Sequence, residues 1–374
     1  MKRFLRWVGT FVAIVVVFCA LGFGISLVKK DSLANHLIDK RSTTVMVNNH
    51  AVSSSTSNKD DTTSTAPKLI NVSSILNDNS ISGQAAAIVK GKLKIRQSRG
   101  FSNTTKDEKN TNLSGFLIGK IQDNINAGII LHLVDQGKLK LSTTVSKYDS
   151  TLPGASQITL KDVINQSSGI TSVSGSPIAS VGSQMSWADS NASFDESQIG
   201  QYADSNLNTI ISSYIIQKAT GKKYETVLNE FFESAGMRNS KVGSLKDAVS
   251  YYQMDPTVGV KSEVSSDELN VTDVNRAGDS PVISTAADVA KLCAYIFNGS
   301  YIKNGTWNNL LKNGHAAGFL VSGNDLSMAQ ALTGGRNRVE WHRSNNTGVV
   351  LLSNYVTDSN SLSNASTQIF NKLK

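Results

Sequence analysis

The sequence is poor in the residues that build disulfide frameworks and metal sites. Its 2 cysteines are Cys19, inside an apolar leader, and Cys293, in a helical apolar pattern, so they are not expected to pair. Cys293 is expected to be a buried structural residue. The 5 histidines show no spacing typical of metal ligands: His36, His50, His132, His315 and His342. The sequence therefore predicts no disulfide framework, no metal site and no cofactor.

The positive charge of the chain does not indicate a nucleic-acid partner. The formal net charge is +8. Five positive charges lie beside the N-terminal apolar segment, on Lys2, Arg3, Arg6, Lys29 and Lys30. The rest of the chain shows no basic stripe interleaved with aromatic residues and no nucleic-acid-binding motif. The charge pattern instead suits a membrane end, and no nucleic acid is expected as a partner.

The N-terminal segment predicts a membrane anchor. Residues 7–28 form a run of 22 residues without a charge, which is long enough to cross a bilayer core of roughly 30 Å. A cleaved signal peptide is the alternative, but no Ala-x-Ala cleavage site follows the run. The basic residues before it predict a cytoplasmic N-terminus, with the remainder of the chain extracellular. We therefore expect residues 1–30 to form a cytoplasmic stub and a single-pass transmembrane helix at the cell membrane.

A polar segment separates this anchor from the folded part. Residues 31–68 are rich in Ser, Thr, Asn, Asp and Lys. Such a composition offers too little apolar surface to offset the entropy lost on ordering. It predicts a disordered Ser/Thr-rich tether, followed by one extracellular domain over residues 69–374.

The stretch from Phe116 to Leu141 predicts the central helix of that domain. Its middle, residues 125–134, is apolar almost all round, which is typical of a helix buried on most faces. The helix opens at a glycine and closes at Asp135-Gln136-Gly137, where the glycine suits a left-handed C-cap. The N-terminus of such a helix offers unpaired N–H groups and a positive dipole end, a common location for an enzyme nucleophile.

This stretch resembles the central helix of the serine β-lactamase and penicillin-binding protein family. The closest resemblance is to the branch of class C β-lactamases, D,D-carboxypeptidases and esterases. The family run reads Phe-x-Ile-Gly-Ser-x-x-Lys, then an apolar helix ending in Glu-Gly-Lys-Leu. The matching residues are Phe116, Ile118, Gly119, Gly137, Lys138 and Leu139.

Further pieces follow in the family's order. They are the predicted hairpin 84–96 with a turn at Lys90-Gly91, the segment 158–170 with Gln166 at the usual His, the Tyr-x-Asn-like segment 202–221, Ala235-Gly-Met237, Ala277-Gly278 with 284–288, and the late strand 348–354. The resemblance thus spans Gln84 to Asn354 and excludes the leader and the tether. It implies an α+β, β-lactamase-like fold. One part is an antiparallel sheet flanked by helices, including a closing helix over 361–374. The other part is a mostly helical insertion over about 142–274, and a cleft lies between the two parts.

The chain departs from the family at the positions that carry the chemistry. Lys120 replaces the nucleophilic Ser, and Asp123 replaces the Lys base. Tyr202 matches the motif Tyr, while Asp204 replaces the Asn. The third motif reads Leu332-Thr333-Gly334, with Leu332 in place of the Lys or His that holds a substrate carboxylate. Four losses in a group of residues that acts as a unit predict an inactive site.

Electrostatics favour a protonated Lys120. A nucleophilic amine needs a lowered pKa, which burial and the helix N-terminus promote, but the carboxylates of Asp123 and Asp204 act more strongly in the opposite direction. A Lys120–Asp123 salt bridge is the simplest interpretation. Lys120, Tyr202, Asp204, Thr333, Gly334 and Arg336 remain as candidate binding residues, the arginine as a replacement for the lost charge. The candidates for a relocated nucleophile are Ser114, Ser167, Ser168 and Ser205, but none of them has a Lys or His at a spacing that implies a base.

Three functions remain open at this stage. The first is a catalytically inactive relative that binds or senses cell-wall material, such as D-alanyl muropeptides or teichoic acids. The second is a working envelope hydrolase, a D,D-carboxypeptidase or D-alanyl esterase with relocated catalytic residues. The third is a scaffold for a protein partner, for which the cleft is irrelevant.

Overall fold

The structure is a computed structural model that describes residues 70–172, 175–254, 261–266, 268–269, 277–310, 314–355, 358 and 360–374. The expected membrane anchor (residues 7–28) and tether (residues 31–68) lie outside these residues, so both stay predictions. Within the described ranges, no helix is long and apolar enough to cross a membrane.

Helices and strands alternate irregularly along the chain, as in α+β proteins. The helices are α1 (Val72–Asp78), α2 (Ile121–Asp135), α3 (Leu160–Ile164), α4 (Val181–Asn191), α5 (Asn206–Thr220), α6 (Tyr224–Ser234), α7 (Ala286–Phe297), α8 (Asn304–Leu310) and α9 (Ser361–Leu373). Short 3-10 helices cover Val145–Lys147, Glu196–Gln198, Leu245–Asp247 and Arg343–Asn345.

One large antiparallel sheet organises the fold. Its strands are β1 (Ser82–Val89), β2 (Lys92–Arg99), β12 (His315–Ala316), β13 (Phe319–Ser322), β14 (Asp325–Leu332), β15 (Gly335–His342) and β16 (Thr347–Tyr355). Their order across the sheet is β12-β13-β14-β15-β16-β1-β2. The N-terminal hairpin therefore pairs with the last strand of the chain, which closes the domain.

Smaller sheets surround it. A three-stranded sheet has the order β5-β11-β8, formed by β5 (Phe116–Leu117), β11 (Val282–Ser284) and β8 (Lys241–Val242). Two-stranded pairs are β3 (Phe101–Asn103) with β4 (Glu108–Lys109), β6 (Ile170–Ser172) with β7 (Ala192–Phe194), and β9 (Tyr252–Met254) with β10 (Lys261–Glu263).

Strand alternation divides the apolar residues of the sheet between two cores. Ala85 and Ala87 of β1 point to one face, where they meet the terminal helices α1 and α9. Ala86 and Ile88 point to the other face, into the larger core that contains α2 and α7. A period of two residues is what places successive side chains on opposite faces. The predicted α+β class, with an antiparallel sheet flanked by helices, is confirmed.

The central helix is buried as predicted. It begins at Ile121, just after Gly119 and Lys120, and ends at Asp135, with Gly137 in the left-handed conformation at φ +72°. Phe116 and Leu117, at the start of the predicted stretch, form strand β5 instead. Polar side chains on α2 are buried as well, at Gln122, Asp123, Asn124 and Asn126. Each of these side chains forms hydrogen bonds to neighbours on α5, α6 or the connecting loops, although Oδ1 of Asn124 is buried without a partner among the described residues. The bonds fix the helix in rotation as well as in position.

Other local predictions also agree with the structure. The hairpin turns at Lys90-Gly91, where both residues have positive φ, between β1 and β2. The late strand is β16, the closing helix is α9, and Cys293 is buried in α7. The helical insertion expected over about 142–274 stays a prediction. Within that range the structure describes α3 to α6, three of the 3-10 helices and short strands.

Substitution of one buried residue tests the central position of α2. Ile125 is fully buried in the larger core. Ile125→Ala should lower the free energy of unfolding by about 2–5 kcal/mol in chemical denaturation, through lost burial and the cavity left behind. Lys138→Ala, at an exposed site past the end of the helix, should change it by no more than about 0.5 kcal/mol. Equal effects of the two variants would contradict a buried central helix.

Candidate functional site

The N-terminus of α2 is closed by the chain itself. The backbone N–H of Lys120 donates a hydrogen bond to Oε1 of Gln330 on β14, at 2.9 Å. Gln330 lies on the face of β14 that also carries Leu326, Met328 and Leu332, which belong to the larger core. An N–H at a helix N-terminus is a ready donor for an anion. Here the Gln330 side chain occupies that donor.

The side chain of Lys120 is held between an aspartate and a tyrosine. Its ammonium lies 3.3 Å from Oδ2 of Asp204 and donates to the Tyr202 hydroxyl at 2.5 Å. The lysine side chain is only 11% exposed, whereas that of Asp204 is 37% exposed. Burial lowers the pKa of Lys120, but Asp204, Tyr202 and Asp123 together raise it above its ordinary value. Lys120 is therefore a protonated cation near pH 7, as the sequence predicts.

Asp123 lies one turn further along α2 and is bound by two polar side chains. Its Oδ1 accepts a hydrogen bond from Thr209 Oγ1 at 2.5 Å, and its Oδ2 accepts one from Gln166 Nε2 at 3.2 Å. The sequence led us to expect a salt bridge of Lys120 with Asp123. The aspartate that the structure places at ion-pair distance from Lys120 is Asp204, while Asp123 contributes through its field.

Gln166 connects these groups to the start of α5. Its Oε1 accepts hydrogen bonds from the backbone N–H of Ser205 and from Asn208 Nδ2, both at 3.0 Å. Its backbone has φ +55°, which is uncommon for a residue with a side chain. The amide thus ties Asp123 to the segment that begins α5, just after Asp204.

Tyr202 and His315 are the partly exposed aromatic residues of the site around Lys120, which is called the cleft below. Their rings stack with centroids 3.8 Å apart and an interplanar angle of 13°. Tyr202 is 38% exposed, so this pair faces solvent as well as Lys120. Burial and the nearby Lys120 charge lower the pKa of His315, which favours a neutral ring at pH 7.

The structure does not bring every predicted binding residue to this cleft. Thr333 and Gly334 form the turn between β14 and β15, where a Cβ on Gly334 would come within 3.1 Å of Tyr251, Tyr252 and Val264. The strand residue that contacts Lys120 is Gln330, three positions earlier. The contact that we expected from the third motif is thus supplied by an amide.

Arg336 lies on the other face of the sheet. Alternate residues of a strand share one face, so Arg336 lies on the same face of β15 as Arg338 and Glu340. That face packs against α9, because Glu340 accepts hydrogen bonds from Ser366 and Thr367 of this helix. Asn337 lies on the opposite face of β15 and donates a hydrogen bond to the carbonyl of Leu117 beside the cleft. Arg336 is therefore not placed to replace the lost charge of the third motif.

The four serines considered as relocated nucleophiles have structural hydrogen bonds. Ser114 accepts from the backbone of Thr111, Ser167 bonds the carbonyl of Asp162, Ser168 donates to Asn208, and Ser205 caps α5 at Leu207. None of these contacts involves a lysine or histidine.

Three residues of the site were missed by sequence reasoning. No motif marks Gln330. The only signal is that Leu332 does not fit the expected third motif, so the sequence leaves open which residue of this strand faces the site. The sequence around His315 shows no metal-ligand spacing and no other signal that marks it as a site residue. Thr209 is one of many small polar residues on α5 and carries no pattern of its own.

The Lys120–Asp204 pair can be tested through the reactivity of the amine. Asp204→Asn removes the largest contribution that raises the pKa of Lys120, whereas burial still lowers it. The pKa should fall, and acetic anhydride labelling of Lys120 at pH 8–9, followed by mass spectrometry, should rise several-fold. Asp247→Asn removes the carboxylate paired with Lys241 on the surface and should leave Lys120 unchanged. An unaltered pH profile for Lys120 in Asp204→Asn would contradict the pairing.

Comparisons with known proteins bear on the family and the fold of the chain. The Beta-lactamase family profile matches residues 71–371. The chain is 25% identical over 293 residues to PbpX of Bacillus subtilis (strain 168), described as a penicillin-binding protein, covering 76% of this chain and 73% of that protein. It is 26% identical over 158 residues to the teichoic acid D-alanine hydrolase of Staphylococcus aureus (strain MRSA252), covering 42% of this chain and 40% of that enzyme.

A solved structure shows the same fold. FmtA from Staphylococcus aureus superposes with a TM-score of 0.68 at 19% identity, covering 81% of this chain and 86% of FmtA. The family profile alone spans more than half of the chain. The resemblance seen in the motifs is confirmed, and the chain belongs to the Beta-lactamase family.

Proposed function

We propose that this protein is a catalytically inactive member of the family that binds D-alanyl-bearing cell-wall polymer outside the membrane. The observation that carries the proposal is the double occupation of the helix N-terminus. The nucleophile position holds a protonated lysine bound to Asp204 and Tyr202, and the adjacent backbone N–H is bound by Gln330.

The arrangement affects both groups that acyl transfer needs, the nucleophile and the oxyanion donor. A nucleophile needs a free electron pair, and an ammonium held by a carboxylate has none. The tetrahedral intermediate needs hydrogen-bond donors aimed at its oxyanion. With Gln330 Oε1 at 2.9 Å from the Lys120 N–H, that donor is satisfied within the chain. Loss of both functions supports binding without turnover.

The charges at the cleft mouth favour a ligand that carries an ammonium group. The Lys120 side chain is 11% exposed, whereas the Asp204 carboxylate is 37% exposed beside the Tyr202–His315 stack. The full charge most accessible to a ligand is thus negative, and the stacked rings offer a face for cation–π contact. A D-alanyl ester carries a free ammonium, whereas a peptide stem ending in D-alanine presents a carboxylate.

This chemistry favours D-alanylated teichoic acid over muropeptides. The relative named teichoic acid D-alanine hydrolase supports the choice, although the match spans less than half of that enzyme. A transmembrane helix over residues 7–28 and a tether over residues 31–68 would hold the domain at the outer face of the cell membrane, within reach of such a polymer.

A labelling experiment with a repaired site tests the absence of catalysis. The full-length protein should not react with a fluorophosphonate probe. Lys120→Ser/Asp123→Lys should react weakly, because Gln330 still covers the helix N–H. Adding Gln330→Gly should increase the labelling rate by about 10²–10³-fold, the usual effect of one oxyanion donor.

The matched controls separate the possible outcomes. Gln330→Gly alone should remain unlabelled, since it restores the donor and no nucleophile. Labelling of the wild type would establish a serine nucleophile and the hydrolase function in place of ours. A triple variant no faster than the double variant would mean that Gln330 does not obstruct the site.

Binding to D-alanylated lipoteichoic acid tests the ligand. Wild-type protein should bind it more tightly than lipoteichoic acid stripped of D-alanine, and more tightly than a pentapeptide ending in D-Ala-D-Ala. Asp204→Asn should weaken binding by about tenfold. This change corresponds to the low end of the contribution of a hydrogen bond to a charged group, which is about 1.5–3 kcal/mol. Asp247→Asn makes the same charge change at another surface and should not weaken it. If Asp204→Asn binds as well as wild type, the cleft is not the binding site and the scaffold function gains support.

A further inference from the structure

A polar recess lies at the end of the main sheet where several turns converge. It has a volume of about 660 Å³. The β1–β2 turn at Lys90-Gly91, Asn324 before β14, and the 343–346 segment before β16 contribute to its wall. Gln330, which contacts Lys120, is six residues from Asn324, or about 20 Å along an extended strand. The recess is therefore a separate surface from the cleft.

The wall of the recess is dominated by amides and contains two cations. Six asparagines line it: Asn298, Asn304, Asn308, Asn324, Asn345 and Asn346. The cations are Lys90 and Arg343, and no aspartate or glutamate lines the recess among the residues that the structure describes. Amides both donate and accept hydrogen bonds, so they suit hydroxyl groups, while the cations suit an anion.

Arg343 is held in place by two of these amides. Its Nη1 donates to Asn308 Oδ1 at 2.7 Å, and its Nη2 donates to Asn324 Oδ1 at 3.4 Å. Its backbone N–H also donates to the Asn324 carbonyl at 2.8 Å. A guanidinium fixed by neutral partners keeps its full charge, and its planar fork matches the oxygens of a phosphate.

Positive charge continues from the recess along the edge of the sheet. Lys92, Lys94 and Arg96 of the edge strand β2 follow Lys90, and all of them are exposed. The acidic residue next to Asn324 in the chain is Asp325, which is bound by His342 and Lys374. Charged residues on an edge strand also discourage pairing with other chains. Of the six asparagines, Asn308 and Asn324 hold Arg343, whereas the side chain of Asn346 bonds Trp341 and Ala294 and that of Asn298 bonds Ser300. Edge protection alone does not explain an arginine held in this way by neutral amides.

We propose that this recess, with the adjoining basic edge of β2, binds a chain of polyol units linked by phosphodiesters. Phosphate groups would contact Arg343 and Lys90, and polyol hydroxyls would contact the asparagine amides. A neutral glycan would use the amides but not the cations, and a bare polyanion would use the cations but not the amides. The inference rests on the proposed function, because it gives the same polymer a second contact on the domain, away from its D-alanyl groups.

Binding of a D-alanine-free chain tests this surface without using the cleft. The probe is synthetic poly(glycerol phosphate), titrated into the full-length protein in detergent and followed by calorimetry. Lys90→Gln/Arg343→Gln should weaken binding by about tenfold or more, because two phosphate contacts are lost. The control Lys140→Gln/Lys372→Gln removes the same charge at two exposed positions outside the recess and should have little effect. Unchanged circular dichroism verifies the folding of each variant.

Each other outcome overturns part or all of the proposal. Equal weakening by the two double variants would show attraction to overall charge alone. If inorganic polyphosphate of equal length binds as tightly as poly(glycerol phosphate), the surface does not recognise the polyol. If a neutral chitin oligosaccharide binds more tightly than both of these polymers, the ligand of this surface is not an anionic polymer. If Lys90→Gln/Arg343→Gln binds poly(glycerol phosphate) as well as wild type does, while Asp204→Asn still weakens binding of D-alanylated lipoteichoic acid, this surface is wrong and the proposed function of the cleft stands.

Discussion

The cleft depends on the neutralisation of one cation at the N-terminus of α2. That end of a helix carries partial positive charge, so a lysine there is unfavourable unless carboxylates lie close by. Asp204 supplies an ion pair at 3.3 Å, and Asp123 adds its field from one turn along the helix. Removing one partner of a buried ion pair leaves the other charge uncompensated, which is costly. Here Asp204 is partly solvated, so water shares some of that cost.

The positions of both carboxylates follow from a network of uncharged side chains. Gln166 bonds Asp123 with its amide nitrogen, and Ser205 and Asn208 with its amide oxygen. Thr209 completes the set by donating to Asp123. These contacts join α2 to the start of α5, and Lys120 and Asp204 lie just before these two helices. In a buried network each member constrains the others, so the cleft has one arrangement of donors and acceptors.

The result is a site whose strongest groups are already satisfied within the chain. The ammonium, the helix N–H and the buried carboxylate all have protein partners. The groups of the site most accessible to a ligand are the Asp204 carboxylate, whose side chain is 37% exposed, and the Tyr202–His315 stack. This arrangement supports the proposed binding function, because catalysis requires groups that become better satisfied in the transition state than before it.

Much of the fold was predictable because its signals are local or cumulative. The apolar run of α2, the Gly137 cap, the hairpin turn at Lys90-Gly91 and the ordered motifs each reflect short-range patterns, and the structure confirms them. The substitutions at Lys120 and Asp123, and the protonated state of Lys120, could also be predicted, since helix position and neighbouring charge determine them. The strand at Phe116 and Leu117, just before the helix, could not be predicted, because these residues pair with β11, which is distant in sequence.

Only the tertiary structure decided which groups meet at the helix N-terminus. A one-residue change of strand register turns a side chain to the opposite face, so the sequence could not say that Gln330 faces Lys120 while Arg336 faces α9. Nor could it say which of two aspartates pairs with Lys120, or that His315 stacks on Tyr202. The sequence by itself determined the family, the buried helix and the replacement of its nucleophile. The partners of Lys120 were decided by long-range packing, because they come from strands and loops that approach α2 only in the folded domain.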